Sequence, residues 1–129
     1  MIVRARHLEG VKFELASGEK RLITDQLPQF GGNGGGPMPS ELLLWSVAAC
    51  FGQSILYVAA RMRKSVEGLS LEIQGDKDTN AFRFSYVTIR VSSRCPVERL
   101  EKIVQTAKKY CYITNSLSVP VHIEIVTRA

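Results

Sequence analysis

The sequence predicts a mixed α+β fold with its elements in the order β-β-β-α-β-β-α-β. Three observations carry that reading. Short runs at the start, middle and end alternate apolar and polar residues, the period of half-buried strands. Residues 41–64 contain no proline and one glycine, Gly52, and residues 42–60 carry no charge, which is the pattern of a long buried helix. Between Val97 and Cys111 the apolar residues recur at helical spacing on one side only. Sheets with helices packed on one face suit this order. With 129 residues, 45% of them apolar and 22% charged, the chain has the composition of one globular domain. A domain of this size leaves much apolar surface in water, which points toward a homo-oligomer.

The N-terminal part, residues 1–25, reads as an antiparallel meander. "IVRARHL" and "VKFELAS" alternate, "SGEK" at 17–20 is a turn, and "RLITD" makes a third strand. Residues 26–38 form a glycine-rich connector containing "GGNGGGP". Gly31 and Gly36 have the separation of a phosphate-binding loop, but Pro37 stands where the lysine must be. Gly32 and Gly34 open a dinucleotide-binding pattern that Pro37 again breaks. The expectation is therefore a mobile connector, not a phosphate cradle.

The remaining part, residues 39–129, opens with the long helix. Pro39 sits at its first turn, Ser40 can cap it, and Glu41 favours its positive end. Its uncharged length raises a membrane-spanning reading. Ser46, Gln53 and Ser54 interrupt it and strands flank it, so a core helix covered by sheet or by a partner subunit is the expectation. "VEGLSLEIQG" and "AFRFSYVTIRVSS" follow as a hairpin turning at "DKDTN", residues 76–80. Pro96 starts the second helix, Glu98 lies in its first turn and Lys108 and Lys109 in its last. "VPVHIEIV" is the closing strand.

Net charge is +5, but the bases are scattered and no nucleic-acid motif accompanies them, so no nucleic-acid partner is expected. The densest run, "RMRK" at 61–64, suits the negative end of a helix. Three cysteines and a start without an apolar core of signal length point to a reducing compartment, the cytoplasm, and to no membrane association. No two cysteines have metal-ligand spacing, and His7 and His122 stand singly in strands, so no metal is expected.

Cys50 lies within the long helix among small residues, Ala48, Ala49 and Gly52. Cys111 lies at the end of the second helix on the buried side of its stripe. Both thiols face a common interior, and if the helices pack together they come within disulfide range. Inert buried thiols and a reactive pair are both open at this point.

"PMPSELLLWSVAACFGQSILYVAARMR" resembles the first-cysteine helix of the OsmC/Ohr family, the osmotically inducible and organic hydroperoxide resistance proteins. "VERLEKIVQTAKKYCYITNSLSVPVHIEI" resembles its second-cysteine segment, and the likeness follows the chain in order, closest to the OsmC-like branch. The resemblance implies an OsmC-like fold in which antiparallel sheets wrap central helices in an intertwined homodimer. It implies a thiol peroxidase for organic hydroperoxides, with Cys50 attacking the O–O bond and Cys111 resolving the sulfenic acid through a disulfide. It implies no cofactor, only an external thiol reductant, dihydrolipoyl in the Ohr branch. Leu43, Val47 and Phe51 would form an apolar wall selecting organic peroxides. In the family a glutamate orients an N-terminal arginine that activates the attacking cysteine. Arg4, Arg6 and Arg21 are the available arginines, and Ser40 stands where the Ohr pattern has its glutamate. Glu41 follows one position later, about 100° round the helix. Cys95 matches no family position. The alternative within the same fold is a redox sensor or a small-ligand-binding protein with little peroxidase activity.

Overall fold

Alternation in the first 24 residues produces the expected meander. In the computed structural model, which describes residues 1–127, β1 (Arg4–His7), β2 (Phe13–Ser17) and β3 (Lys20–Thr24) pair antiparallel in that order. Ser17 faces Lys20 across a two-residue turn, and its first residue, Gly18, takes φ 59°, a conformation open to glycine at little cost. The chain divides into two compact units, Met1–Leu43 and Leu44–Ala129. The meander belongs to the first.

The glycine-rich connector is not slack. Asp25 is buried, and its carboxylate accepts the backbone N–H groups of Gln26 (2.8 Å), Asn33 (3.2 Å) and Gly35 (2.9 Å). Thr24 Oγ1 donates to the Pro37 carbonyl at 2.7 Å, and the Asp25 N–H donates to the same carbonyl at 3.2 Å. A Cβ at Gly32 would collide with the Gln26 carbonyl, and one at Gly36 with the Ile23 carbonyl. The glycines therefore allow the chain to close tightly round one carboxylate. The expectation of a mobile connector is corrected: unpaired amides next to a buried acid fold onto it.

Those three amides, the Gly35 N–H foremost, hold the Asp25 carboxyl below the ordinary carboxylate range. A depressed pKa stabilises the fold above the ordinary carboxylate value, and that contribution is lost as pH falls through the lower folded-state value. Hydrogen exchange at the Asn33 and Gly35 amides should be protected at neutral pH and lose protection only in acid below about pH 4. Asp25→Ala should lose it at every pH. Protection surviving in that variant would show that the carboxylate does not hold the loop.

Helix α1 (Pro39–Arg61) starts two residues earlier than a cap at Ser40 would place it. The Met38 carbonyl accepts the first helical bond, from the Leu42 N–H at 3.0 Å. Glu41 Oε1 accepts the Met38 N–H at 3.0 Å, the returning half of a capping box. Ser40, expected as the cap, lies inside the first turn, because Pro39 fits the first helical position and displaces the cap to Met38. At the other end the Lys64 N–H reaches the Ala59 carbonyl (2.9 Å) and the Arg63 N–H reaches Ala60 (3.1 Å). This is a Schellman motif with Arg63 at φ 55°, where glycine is usual.

In the second unit, β4 (Ser70–Lys77) and β5 (Phe84–Ser93) form the expected hairpin. Its turn lies at 78–83, later than expected: Asp76 and Lys77 stay in the strand, and Asp78 Oδ1 accepts the Asn80 N–H at 2.8 Å to bend the chain. Helix α2 (Val97–Ala107) follows from Pro96 and buries Leu100, Ile103, Val104 and Ala107. It ends sooner than expected, in a 3-10 turn at Lys108–Tyr110. A short helix α3 (Tyr112–Ser116), not foreseen, precedes β6 (Val121–Thr127).

β6 pairs with β5 in parallel, from Val87 opposite Val121 to Ser93 opposite Thr127. The expectation of antiparallel strands fails at this one pairing. The helical crossover through α2 and α3 carries the chain back to the end from which β5 started. The core of this unit gathers Val47, Phe51, Ile55 and Val58 of α1, Ile89 and Val91 of β5, and Leu100, Ile103 and Val104 of α2. α1 is long and apolar enough by length and composition to cross a membrane, but the stripe from Val47 to Ala59 is buried in this core. Trp45, Ala49 and Leu56 on its other side are exposed.

Candidate active site

Cys50 and Cys111 come together. Cys50 lies on α1 one residue before the fully buried Phe51, and it packs half-buried against the core. Cys111 is a member of that core with no accessible surface. Helical periodicity delivers the first thiol. The second is delivered by a break in helicity, because Cys111 is not the end of α2 but an extended residue (φ −90°, ψ 100°) between the 3-10 turn and α3. That break turns its side chain inward at the N-cap position of α3. Both thiols are free.

The surroundings of Cys111 oppose ionisation. Burial pushes its thiol above the ordinary value, the Thr114 hydroxyl and amide pull it partly back, and the adjacent Cys50 thiol pushes it up again. The sulfur closes no cap hydrogen bond of full geometry. Thr114 is the neighbour of the Cys111 thiol that spacing alone did not single out. A threonine three residues after a residue at a helix start is the signal that could have found it.

The other expected site residues are placed less simply. Glu41 is engaged at the head of α1 by the Met38 N–H, and among the described residues it forms no ion pair. Arg6 pairs with Glu14 at 3.3 Å. Arg21 approaches the same carboxylate at 3.9 Å and donates to the Gly18 carbonyl at 2.6 Å. Arg4 lies on the exposed strand β1. Among the described residues no arginine forms an ion pair with Glu41. Val47 and Phe51, expected to form an apolar substrate wall, have 0% accessible surface. They are corrected to core residues, because the α1 stripe that carries them faces Ile89 and Val91; Leu43 is half-buried. Cys95 is half-buried at the β5–α2 corner, where its N–H donates to Ser93 Oγ at 3.2 Å.

A chemistry network extends from the cysteine pair along α1. Cys50, Ser54, Tyr57 and Arg61 follow at helical spacing on one stripe. Ser54 Oγ donates to the Cys50 carbonyl at 2.8 Å. Arg61 donates to the Tyr57 hydroxyl at 2.9 Å and lies 5.6 Å over its ring. Tyr57 meets Tyr110 edge to face at 5.2 Å, and Tyr110 immediately precedes Cys111.

The sequence matches the family model described as OsmC-like protein over residues 31–126. A comparison with curated proteins finds no match. Among solved structures, an OsmC-like protein from Mycoplasma pneumoniae superposes with a TM-score of 0.85 at 17% identity, covering 99% of this chain and 96% of the other. An organic hydroperoxide resistance protein OsmC from Legionella pneumophila gives 0.76 at 23% identity, covering 99% and 96%. The organic hydroperoxide resistance protein OhrB of Bacillus subtilis gives 0.70 at 19% identity, covering 98% and 96%. At these identities the likeness is one of fold.

Proposed function

The chain belongs to the OsmC-like family, and from that premise we propose that it is a cysteine-based peroxidase for organic hydroperoxides. The observation that carries the reading is the asymmetry of the thiol pair. Cys111 has no accessible surface while Cys50 beside it is half-buried. A peroxide reaches one sulfur and not the other, and the second sulfur waits in contact with the first.

The Cys50 thiolate attacks the O–O bond and displaces alkoxide, which takes a proton and leaves as alcohol. The sulfur becomes a sulfenic acid. Cys111, having lost its proton to solvent, then attacks that sulfur as thiolate: the S–S bond forms, the S–O bond breaks, and the hydroxide that leaves takes a proton from solvent to become water. An external dithiol supplies two electrons and two protons by exchange through a mixed disulfide, and itself closes to a disulfide. No cofactor enters the cycle. The reading includes a homodimer, supported by exposed Trp45 and Leu56 on α1 and by exposed Phe13, Leu22 and Ile23 in the meander, and a cytoplasmic setting. The test is a count of free thiols after mixing reduced protein with cumene hydroperoxide. Loss of two of the three thiols per chain supports it, and an unchanged count sinks it.

A second reading, a redox sensor in the same fold, is favoured by one observation. Arg6 and Arg21 both engage Glu14, and Glu41 caps α1. Slow thiol loss without turnover in the presence of excess dithiol would favour it.

Cys111 attacks as thiolate, and its pKa is raised. The closure of sulfenic acid to disulfide should therefore accelerate about tenfold per pH unit between about pH 6 and 8. Rapid quenching with a sulfenic-acid trap at each pH measures it, and a flat profile contradicts it. The sign for stability is the reverse. A raised pKa stabilises the reduced fold fully below about pH 8.5, the ordinary thiol value. That contribution is lost as pH rises through the higher folded-state value.

A further inference from the structure

We propose that the C-terminal end of α1 and the facing β5–α2 corner form a cationic docking surface for an acidic protein that presents the reducing dithiol. The proposal rests on the peroxidase reading for the role of its partner, but not for the existence of the surface.

The sequence scatters these charges and the fold collects them. Arg61, Arg63 and Lys64 end α1. Arg99 Nη1 reaches the Ser65 carbonyl at 3.4 Å, which brings the start of α2 beside them. The Arg94 N–H donates to the Glu67 carbonyl at 2.8 Å, and the Arg94 guanidinium fills the space a Cβ would take at Gly68. Segments 61–69 and 94–99 thus hold five cations against two carboxylates, Glu67 and Glu98. Among the described residues none of the five forms an ion pair. All but Arg99 are exposed, and Arg99 is half-exposed.

Two further observations mark this surface as more than a solvated helix end. Arg63 is the one non-glycine residue at positive φ among the described residues. Glycine would close the same Schellman motif without strain, so the arginine here places a cation at a position where a side chain costs stability. The surface is also joined to the redox pair by contact: Arg61 holds Tyr57, Tyr57 packs on Tyr110, and Tyr110 is bonded to Cys111. An acidic protein seated here lies on the side of the molecule where Tyr57 meets Tyr110, the residue before Cys111. Clustered cations that form no ion pair raise the encounter rate of negatively charged partners, and the effect is screened out by salt.

The test uses two synthetic probes, one dithiol attached to an Asp/Glu-rich peptide and the same dithiol attached to a Gly/Ser peptide. Reduction of the oxidised protein is followed by thiol release. The acidic carrier should react at least about tenfold faster at low ionic strength, and the advantage should vanish near 0.5 M salt. Arg63→Glu/Lys64→Glu should abolish the advantage while the neutral carrier reacts as before, and a Lys-rich carrier should now be preferred. Arg63→Gly, which folds more easily, should raise Tm and still lower the preference. Equal rates for the two carriers, or an unchanged preference in these variants, overturn the proposal. If no disulfide forms on peroxide treatment, the peroxidase reading fails separately. Anisotropy of a labelled, thiol-free acidic peptide on reduced protein then tests the surface, with loss of binding in Arg63→Glu/Lys64→Glu supporting it and no binding overturning it. Tighter binding of a duplex DNA oligonucleotide than of the acidic peptide at physiological salt also overturns it.

Discussion

Cys50→Ser should lose peroxide turnover by at least about a thousandfold, because no other group supplies the attacking sulfur. After cumene hydroperoxide its two remaining thiols should both titrate as free. Cys111→Ser should behave differently. Cys50 still meets one peroxide, but its sulfenic acid has no neighbouring thiol to close with. A sulfenic-acid trap should label that variant stoichiometrically, and excess peroxide should drive it to the sulfinic acid, read by mass as one further oxygen. Cys95→Ser is the control, since Cys95 is held at the β5–α2 corner by the Ser93 hydroxyl, and it should turn over normally. Equal peroxide consumption by Cys50→Ser and the parent protein would end the peroxidase reading. Loss of activity in Cys95→Ser would move the chemistry elsewhere.

Phe51→Ala should produce the largest loss of stability, about 3–5 kcal/mol, with Tm falling on the order of 10–20 °C. Phe51 has no accessible surface and is among the largest fully buried side chains. It shares its cluster with Ile55, Ile89, Val91 and Ile103, residues drawn from three different elements that cannot all shift to fill the space. The magnitude separates two roles. A substrate-wall phenylalanine would cost affinity for bulky peroxides and little stability, whereas a core phenylalanine costs stability for every substrate alike. Thermal unfolding beside initial rates with a bulky and a small hydroperoxide distinguishes them. A stable variant with selective loss for the bulky one would return Phe51 to the wall.

The strands, α1 and the stripe of α2 were legible because each is a local pattern. Period two in "FSYVTIRV" and period 3.6 from Val47 to Val58 need no distant partner to be read. The family was legible for another reason, the residues in "AAC" and "KYCYITNSL". What failed was non-local or depended on one bond. The parallel β5–β6 pairing follows from the path of the crossover, not from any residue in β6. α3 is five residues long, below the length at which a stripe can declare itself. The order in the glycine loop depends on the burial of Asp25, and a lone aspartate after a strand gives no sign that three amides will converge on it. The wall residues failed because a fully apolar helix does not announce which face its own sheet will cover. The cations failed likewise, because Arg94 and Arg99 lie about thirty residues from the helix end they join.

The crossover has a consequence for the order in which the molecule is made. β4 and β5 pair across a short turn and can form early. β6 must return across 34 positions, from Thr88 to His122, and such closures come late. Cys111 rides on that late segment, while Cys50 rides on a helix synthesised well before it. On the peroxidase reading proposed above, a chain still emerging from the ribosome therefore owns an attacking thiol without its resolving partner. On that reading a second peroxide at that stage would carry the sulfenic acid on to a sulfinic acid, which no dithiol reverses. The same reading makes each newborn molecule most vulnerable to peroxide in the interval before its last strand closes.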